Sequence, residues 1–280
     1  MRKILLAATL ATAAAALPGY ALAQAAASPH TFTGNMSLVS EYRFRGISQT
    51  FAKPAIQGGF DYSHSSGIYL GNWDSNVSSG AGFPAGNLEM DLYGGWKKSW
   101  GDFGLDIGYI YYYYPGSDAN ATSGTGITNP RPGGSTHTGT VDNKEVYIGG
   151  SYKWFSAKYY YSVGDYFSQP GTKGSNYLDL SANFDLGGGW GLVGHVGTFR
   201  LKGWSIGTPA TDANYSDWKI GVTKDLGGWA LGASYIDTNA NGSCSAGAYY
   251  CFNNSLPAGA GAKTKDAGKG VVVLSIGKSF

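Results

Sequence analysis

The chain has 280 residues, with 20 Lys and Arg against 18 Asp and Glu, and it is rich in glycine and aromatic residues, with 45 Gly, 21 Tyr and 8 Trp. The nearly balanced charge, without a basic patch, argues against a nucleic-acid partner. Abundant aromatic residues and glycine with few charges favour many short strands and tight turns over helices, and a chain of this length can form a single barrel domain.

Residues 1–23 have the pattern of a secretory signal peptide. Basic side chains at positions 2 and 3 precede the apolar stretch Ile4–Leu17, and Ala21-Leu22-Ala23 forms a small-x-small cleavage site. The apolar stretch of about 14 residues is shorter than the ~20 that a spanning helix needs, which favours cleavage over an anchor helix. We therefore expect a domain of residues 24–280 that is exported through the inner membrane. No later segment approaches 18 consecutive apolar residues, as a transmembrane helix would.

Twelve segments alternate apolar and polar side chains with period two, the pattern of a strand whose two faces meet different surroundings. In the segment 88–97, for example, Leu88, Met90 and Leu92 alternate with Glu89, Asp91 and Tyr93. The predicted strands are roughly 32–45, 55–64, 67–76, 88–97, 102–113, 143–154, 155–166, 177–186, 190–201, 215–224, 229–238 and 270–280.

The connections between these segments alternate between long and short along the whole chain. Short turns such as Ser99-Trp100-Gly101 follow long loops such as 77–86, and the longest loops are 115–142 and 238–269. Bacterial outer-membrane barrels have short periplasmic turns and long extracellular loops. The sequence therefore predicts an all-β fold, a closed antiparallel transmembrane β-barrel of about twelve strands with both termini in the periplasm.

A soluble β-sandwich would alternate in the same way. Three features favour the barrel. The polar face is too charged for a sandwich core, charges on the apolar face fall near strand ends, and tryptophans flank the short turns as an interfacial girdle would. The charges on the apolar face are Lys144, Asp165, Arg200, Lys224, Asp237 and Lys278, and the tryptophans are Trp96, Trp100, Trp154, Trp190 and Trp229.

The last segment, Val271–Phe280, has one apolar face and one small, polar face and ends on an aromatic residue. This is typical of the closing strand of an outer-membrane barrel. We expect the protein in the bacterial outer membrane, in contact with lipid and lipopolysaccharide, and assembled there by the barrel-assembly machinery through the strand that ends in Phe280. Lys278 occupies an outward position, from which its ammonium group can reach the headgroups.

The polar faces of the strands would line the lumen and carry any selectivity. Mixed charges there fit either a water-filled pore with a weak preference for cations or a salt-bridged plug, since twelve strands lie between filled and open barrels. The predicted pore-lining residues are Glu41, Arg43, Arg45, Asp74, Glu89, Asp91, Asp106, Glu145, Lys153, Asp179, Asp217 and Lys219.

Cys244 and Cys251 are the only cysteines and lie in the last long loop. Because exported chains fold in an oxidising compartment, a disulfide is favoured over a metal pair, which would lack the further ligands that zinc needs. No metal or cofactor is expected.

An enzyme is the less favoured alternative. His64 and Ser66 fall at a predicted periplasmic turn without a carboxylate that would orient the imidazole. His30 and His137 lie outside the strands, and His195 faces the lumen by its phase as a polar wall residue. No catalytic residue is therefore predicted.

Several stretches resemble the TorF-like porins, also called Gcw_chp, a proteobacterial outer-membrane family of largely unknown function. The resemblance implies a porin-like role without a known substrate. We expect passive diffusion of small hydrophilic solutes or ions, and the alternative is a closed structural or adhesive barrel that binds a surface partner through its loops. The matching stretches are Ser40-Glu-Tyr-Arg-Phe-Arg-Gly-Ile-Ser-Gln-Thr50, Gly67-Ile-Tyr-Leu-Gly-Asn-Trp-Asp-Ser-Asn-Val77, Leu88-Glu-Met-Asp-Leu-Tyr-Gly94, Gly108-Tyr-Ile-Tyr-Tyr-Tyr-Tyr-Pro-Gly116, Glu145-Val-Tyr-Ile-Gly149 and Ser216-Asp-Trp-Lys-Ile-Gly221.

Overall fold

The computed structural model describes residues 28–119, 139–203, 212–255 and 261–280. The predicted signal peptide, residues 1–23, lies outside the described residues, as do parts of the two longest predicted loops. In the described ranges, no helix has the length and apolar character that crossing a membrane requires. The strands are β1 (His30–Val39), β2 (Arg43–Phe44), β3 (Ile47–Ser48), β4 (Ala55–His64), β5 (Ile68–Asn76), β6 (Leu88–Trp100), β7 (Phe103–Tyr113), β8 (Asp142–Tyr152), β9 (Phe155–Ser162), β10 (Asn176–Gly187), β11 (Trp190–Arg200), β12 (Tyr215–Leu226), β13 (Trp229–Thr238), β14 (Cys251–Asn253), β15 (Thr264–Asp266) and β16 (Val271–Ser279). Short 3₁₀ helices cover Ser79–Ala81, Tyr166–Ser168 and Cys244–Ala246.

Twelve of these strands form a closed antiparallel barrel, which confirms the predicted fold class. β1, β4 to β13 and β16 pair in chain order, and β16 returns to β1 to close the sheet. β2 pairs with β3, and β14 with β15, in two separate small sheets. Short turns lie at one end of the barrel, hereafter the turn end, and the longer connections lie at the other, hereafter the loop end.

The short turn between β12 and β13 shows how glycine closes a barrel hairpin. Leu226 pairs with Trp229, so only Gly227 and Gly228 form the turn. Their φ angles are 63° and 87°. A two-residue turn with positive φ at both positions matches the right-handed twist of the flanking strands, and glycine adopts it without steric cost.

The barrel is inverted relative to a soluble protein, with apolar side chains outside and charged side chains inside. On β8, Ile148 is 53% exposed on the outer face, whereas Glu145 on the inner face is completely buried. On β10 and β12, Leu180 and Ile220 face outward, and Asp217 is 2% exposed. Since strand residues alternate between the two faces, this distribution is that of a barrel that spans a lipid bilayer.

Aromatic and lysine side chains surround the turn end on the outer face. The ammonium group of Lys278 lies 5.1 Å from the centre of the Trp229 ring, and that of Lys224 lies 5.0 Å from the Trp190 ring. Such pairs suit the boundary between lipid and water, where the ring is half-solvated and the long lysine stem reaches the headgroups.

Two clusters of buried side chains, mostly aromatic, fill the loop end. They bring together residues from the strand ends and the long connections, and they form the apolar core of the described part of the chain. The first cluster contains Ile47, Tyr166, Tyr177, Phe199, Leu201, Ala213, Tyr215, Tyr249, Tyr250, Phe252 and Ala267. The second contains Tyr42, Ala55, Val77, Phe83, Tyr112, Tyr114, Ala119 and Val141.

Candidate functional site

The connection between β1 and β4 does not extend away from the barrel but folds into its lumen. The alternating pattern predicts a first strand to residue 45, yet β1 ends at Val39. Beyond it, Arg45 and Gly46 have φ angles of 48° and 80°, which reverse the chain between β2 and β3. Residues 40–54 are hereafter the inner hairpin.

Side chains on three wall strands hold the inner hairpin. The Tyr42 hydroxyl donates a hydrogen bond of 2.8 Å to Glu89 of β6. The Arg45 guanidinium donates two hydrogen bonds, of 3.1 and 2.7 Å, to the carboxylate of Glu145 on β8. The Tyr215 hydroxyl of β12 donates to the carbonyl oxygen of Arg45 at 2.9 Å. Because β6, β8 and β12 lie on different sides of the closed sheet, the hairpin crosses the lumen.

A second set of contacts joins the inner hairpin to the segment before β16. The Arg43 guanidinium forms an ion pair of 3.0 Å with Glu41 and donates to the carbonyl oxygens of Gly46 and Ala267 at 3.0 and 2.9 Å. The amide of Ser48 donates to the same Ala267 carbonyl at 2.9 Å. The hairpin is therefore fixed at both of its strands.

Its charged and aromatic neighbours keep the buried Arg45 ionised. Burial alone would lower the pKa of this guanidinium, but the Glu145 carboxylate raises it well above its ordinary value. The guanidinium carbon also lies 4.5 Å from the ring centre of Tyr177 and 5.1 Å from that of Tyr160. Charge-assisted bidentate hydrogen bonds and stacked rings are the surroundings in which an arginine can remain charged away from water.

Tyr42 is held as a neutral donor by its surroundings. Burial raises the pKa of its hydroxyl well above the ordinary value, and the carboxylates of Glu89 and Asp91 raise it further. The hydroxyl therefore keeps its proton and donates a hydrogen bond to Glu89, which is itself 1% exposed.

Below the inner hairpin, toward the turn end, the wall carries paired charges and tyrosine hydroxyls. Lys158 of β9 forms an ion pair of 2.7 Å with Asp106 of β7, and the Tyr69 hydroxyl donates to the same carboxylate at 2.6 Å. The ammonium group of Lys97 lies 5.1 Å from the centre of the Tyr69 ring. Asp106 of β7 is therefore contacted by side chains from β5 and β9, each of which lies one strand beyond its neighbours in the sheet.

A second polar network connects β10, β11 and β12. Asp217 accepts at 2.9 Å from His195 Nε2, and the Tyr177 hydroxyl donates to Asp217 at 2.9 Å. The other ring nitrogen of His195, Nδ1, lies 3.2 Å from Ser181 Oγ and 3.4 Å from Asp179. Ser181 Oγ in turn donates to Asp179 at 2.6 Å.

Ser181, His195 and Asp217 have the residue types of a serine hydrolase triad, but their arrangement does not suit nucleophilic catalysis. The Ser181 proton is directed to Asp179 rather than to the imidazole. Carboxylates on both sides of His195 favour its charged form, which cannot accept a proton. The amides of Ser181 and its neighbours are in β10, where the barrel's ladder hydrogen bonds use them, and no pair of free amides forms an oxyanion hole there.

Two connected cavities occupy the lumen on the turn-end side of the inner hairpin. One has a volume of about 260 Å³ and lies directly against the hairpin at Arg43 and Arg45. The other has a volume of about 630 Å³ and extends to Lys97 and Asn183. Tyr160, Asp179 and Ser181 border both cavities. In the described residues, the lumen is thus a polar chamber beneath a crossing hairpin.

The structure places most of the predicted pore-lining residues inside the barrel, in two groups. Arg45 and Glu145 meet across the lumen, and His195 brings Asp179 and Asp217 together. Glu41, Arg43 and Arg45 lie on the inner hairpin and not on a wall strand, contrary to the prediction. Strand alternation and burial place these residues on the inner face of the wall: Glu89, Asp91, Asp106, Glu145, Asp179, Asp217 and Lys219.

Two predicted pore-lining residues lie elsewhere. Asp74 pairs with Gly58 and Met90 in the row that contains Met36, which is 53% exposed on the outer face, so Asp74 faces outward. It is tolerated there because it lies two residues from the loop end of β5, where a charge costs about 0–1 kcal/mol. Lys153 occupies the turn between β8 and β9 with a φ of 54°, and it therefore belongs to the rim rather than to the lumen.

The predicted pore-lining residues did not include Lys158, His195 or the tyrosines whose hydroxyls line the lumen. The phase of His195 was a sufficient signal that it faces inward. Its two carboxylate partners could not be read from the sequence, since Asp179 and Asp217 lie on the two strands that flank β11. For the inner hairpin, Gly46 was the one available signal in the sequence, since glycine adopts the left-handed backbone that the chain reversal needs.

Cys244 and Cys251 form a disulfide that links the loop before β14 to the first residue of that strand. It lies beside Tyr250 and Phe252, which belong to the first aromatic cluster. Over the ranges that the structure describes, no group of three or more His, Cys, Asp or Glu side chains could hold a metal ion.

Solved structures with similar architecture include bacterial outer-membrane proteins. OmpT of Vibrio cholerae is 11% identical, with 90% of this chain and 97% of that chain covered and a TM-score of 0.40. The TodX deltaS2S3 mutant, a monoaromatic hydrocarbon channel, is 10% identical, with 91% and 90% covered and a TM-score of 0.44. OccAB4 of Acinetobacter baumannii is 10% identical with a TM-score of 0.38, and the match covers 86% of this chain but only 56% of OccAB4.

A search of curated proteins gives no match to the sequence. The family described as "Bacterial protein of unknown function (Gcw_chp)" matches residues 23–280, which is nearly the entire chain. The chain therefore belongs to the Gcw_chp family.

Proposed function

We propose that this protein is a porin of the bacterial outer membrane, through which small hydrophilic solutes or ions diffuse passively. The observation that carries the proposal is the polar chamber of about 630 Å³ inside a closed, membrane-spanning barrel, bordered by charged side chains such as Lys97, Asp106 and Lys158. A barrel that only had to fill itself would pack side chains there instead. The inner hairpin would be the constriction that sets the size limit.

A weak preference for cations is part of the proposal. Carboxylates outnumber cationic side chains on the inner face of the described wall and on the inner hairpin. Rings of acidic side chains attract cations and repel anions in narrow pores. The carboxylates are Glu41, Asp61, Glu89, Asp91, Asp106, Glu145, Asp179, Asp185, Asp217 and Asp225, and the lysines and arginines are Arg43, Arg45, Lys53, Lys97, Lys158 and Lys219.

Planar-bilayer recording tests this function. The refolded protein should give discrete conductance steps, and its reversal potential in a KCl gradient should indicate a cation preference. The double variant Glu89→Gln with Asp91→Asn should have a weaker cation preference, because both carboxylates face the lumen. Asp237→Asn, on the outer face of β13, is the matched control and should change nothing. An unchanged reversal potential in the double variant would contradict the assignment of selectivity.

A second candidate is a closed structural or adhesive barrel that binds a surface partner through its long connections. The observation that favours it is the inner hairpin together with the two aromatic clusters, which fill the loop end. Such a barrel would give no conductance steps in the bilayer. It would begin to conduct only in a variant whose hairpin has left the lumen.

The C-terminal strand supports assembly in the outer membrane, where the barrel would contact lipid and lipopolysaccharide. Phe280 exchanges two backbone hydrogen bonds with Gly34 of β1, at 2.7 and 2.9 Å, and its ring is 64% exposed on the outer face. We infer that the barrel-assembly machinery recognises this strand. Phe280→Ala should lower the amount in the outer membrane of cells several-fold, whereas refolding of the purified protein into detergent should be unchanged.

Export and the absence of catalysis complete the proposal. Residues 1–23 would be removed, so that the protein from the outer membrane should begin at Gln24 when its N-terminus is sequenced. The polar network at His195 would serve the lumen and not hydrolysis. Lipid or peptide hydrolysis by the purified protein that is lost in Ser181→Ala would contradict this reading.

A further inference from the structure

The two ring nitrogens of His195 are surrounded by hydrogen-bond acceptors. Nε2 lies 2.9 Å from Asp217 Oδ2 and 2.9 Å from the Tyr177 oxygen. Tyr177 uses its own proton to donate to the other oxygen of Asp217, so toward His195 it can only accept. A bare Nε2 would therefore place its lone pair against a carboxylate oxygen.

Nδ1 has the same surroundings on its side of the ring. It lies 3.2 Å from Ser181 Oγ and 3.4 Å from Asp179 Oδ1. Ser181 donates its proton to Asp179 at 2.6 Å, which again leaves only acceptors for the imidazole. A neutral histidine has one donor nitrogen and one acceptor nitrogen, whereas the imidazolium has two donors. Only the imidazolium satisfies both sides.

The charges around His195 determine how its protonation changes the net charge of the lumen. Three of the neighbouring cations already have partners, since Arg45 pairs with Glu145, Arg43 with Glu41 and Lys158 with Asp106. In the cavity that lies directly against the inner hairpin, the charges that remain are Asp179, Asp217, Lys219 and His195 itself. The titratable and charged groups that face His195 are Tyr177 and Asp179 on β10, Asp217 and Lys219 on β12, Lys158 and Tyr160 on β9, Tyr112 on β7, and Arg43 and Arg45 on the inner hairpin.

We propose that His195 is a doubly protonated counter-ion of Asp179 and Asp217 that determines the charge selectivity of the lumen beneath the inner hairpin. With the imidazolium and Lys219 in place, the two carboxylates are balanced. A neutral ring would leave one net negative charge at this level. The role in selectivity rests on the proposed porin function, whereas the charge state of His195 does not.

The charge state is tested by nuclear magnetic resonance on the full protein, refolded in detergent with ¹⁵N-labelled histidine. The signal of His195 is assigned by its loss in His195→Gln. At pH 7.5, where an ordinary histidine with a pKa of about 6.5 is mostly neutral, we expect both of its ring nitrogens to be protonated. Free histidine in the same buffer serves as the reference for a mostly neutral ring. A His195 signal with one bare nitrogen at this pH overturns the proposal.

The role in selectivity is tested by reversal potentials in a KCl gradient. His195→Gln should raise the ratio of K⁺ to Cl⁻ permeability roughly two- to fivefold, the effect expected of one unit charge within about 8 Å in a water-filled lumen. The double variant His195→Gln with Asp179→Asn should return the ratio to the wild-type value, because charge is balanced again. His64→Gln is the control. An unchanged ratio in His195→Gln rejects this role.

The two experiments separate the possible failures. A wild-type protein without conductance steps would reject the porin function, while the magnetic resonance result would still decide whether His195 is an imidazolium. A conducting protein with a neutral His195 would reject this inference alone.

Discussion

Arg45 and Glu145 are 100 residues apart in the chain, yet their side chains meet in the lumen through two hydrogen bonds of 3.1 and 2.7 Å. The Arg45 and Glu145 side chains are 5% and 0% exposed. This pair joins the inner hairpin to β8 through charge-assisted, bidentate hydrogen bonds. With this pair in place the hairpin crosses the lumen, and without it we expect the lumen to be less obstructed.

Breaking this pair should weaken the barrel and widen its lumen. Glu145→Gln leaves the Arg45 charge buried without a carboxylate, which typically costs about 3–5 kcal/mol. We expect a corresponding fall in the free energy of unfolding, measured by urea titration in phospholipid vesicles, and a larger unit conductance. Asp142→Asn is the control on the same strand. Its exposed pair with Lys144 contributes about 0–1 kcal/mol. Equal effects of the two substitutions would contradict the conclusion that the pair of Arg45 and Glu145 holds the hairpin in the lumen.

The inner hairpin should require Gly46 to adopt its position in the lumen. Its φ is 80°, and an alanine Cβ there would collide with Thr238 Cγ2 and lie 2.7 Å from Asp217 Cβ. Gly116 is a matched control, with a φ of 76° and no atom within 4 Å of the added Cβ. Gly46→Ala should displace the hairpin and expose Arg45 to trypsin, whereas Gly116→Ala should not. Both substitutions carry the same backbone cost of about 1–2 kcal/mol, so only the collision distinguishes them.

The disulfide should stabilise its loop and not the barrel. Cys244 and Cys251 are seven positions apart, and closing so short a loop stabilises it by about 2.5 kcal/mol. The variant Cys244→Ser with Cys251→Ser should keep the urea midpoint of the barrel. Hydrogen exchange at Tyr250 should become faster, because this residue packs beside the bridge. A loss of the folded barrel would show that the loop contributes to the core of the whole domain.

The outer face should tolerate a positive charge only near its edges. Ile148 lies at the middle of β8 and is 53% exposed, and Leu226 lies at the end of β12. Ile148→Arg should lower the free energy of unfolding in vesicles by roughly 2–4 kcal/mol, and Leu226→Arg by about 0–1 kcal/mol. The same two substitutions should have similar effects in detergent micelles, which adapt to a charge. A similar loss for both in vesicles would argue against a membrane-embedded β8.

The predicted and observed folds agree for the wall strands, which were predicted from the alternation of apolar and polar residues. Side chains point to opposite faces at every step of a strand, so the pattern at Leu88 to Lys97 predicted both the strand and its inner face without knowledge of its neighbours. The same rule would have placed Asp74 outside with Ile68 and Leu70. The prediction put it inside, although near a strand end a charge on the outer face costs little.

The candidate site was less predictable, because its contacts join segments that are distant in the chain. Glu41, Arg43 and Arg45 continue the alternating pattern of β1, so the sequence offered little sign that the chain leaves the wall after Val39. Likewise, the phase of His195 showed that it faces the lumen but could not show that carboxylates lie on both sides of it.

The amino-acid sequence alone thus determined a membrane-spanning barrel of twelve strands, its inner and outer faces and the end at which its long connections lie. These properties follow from local alternation and from the lengths of turns. Only the tertiary structure decided that the inner hairpin crosses the lumen, that Arg45 meets Glu145, and that His195 lies between Asp179 and Asp217. Closure of the barrel sets which side chains meet across its interior, and no local pattern encodes that geometry.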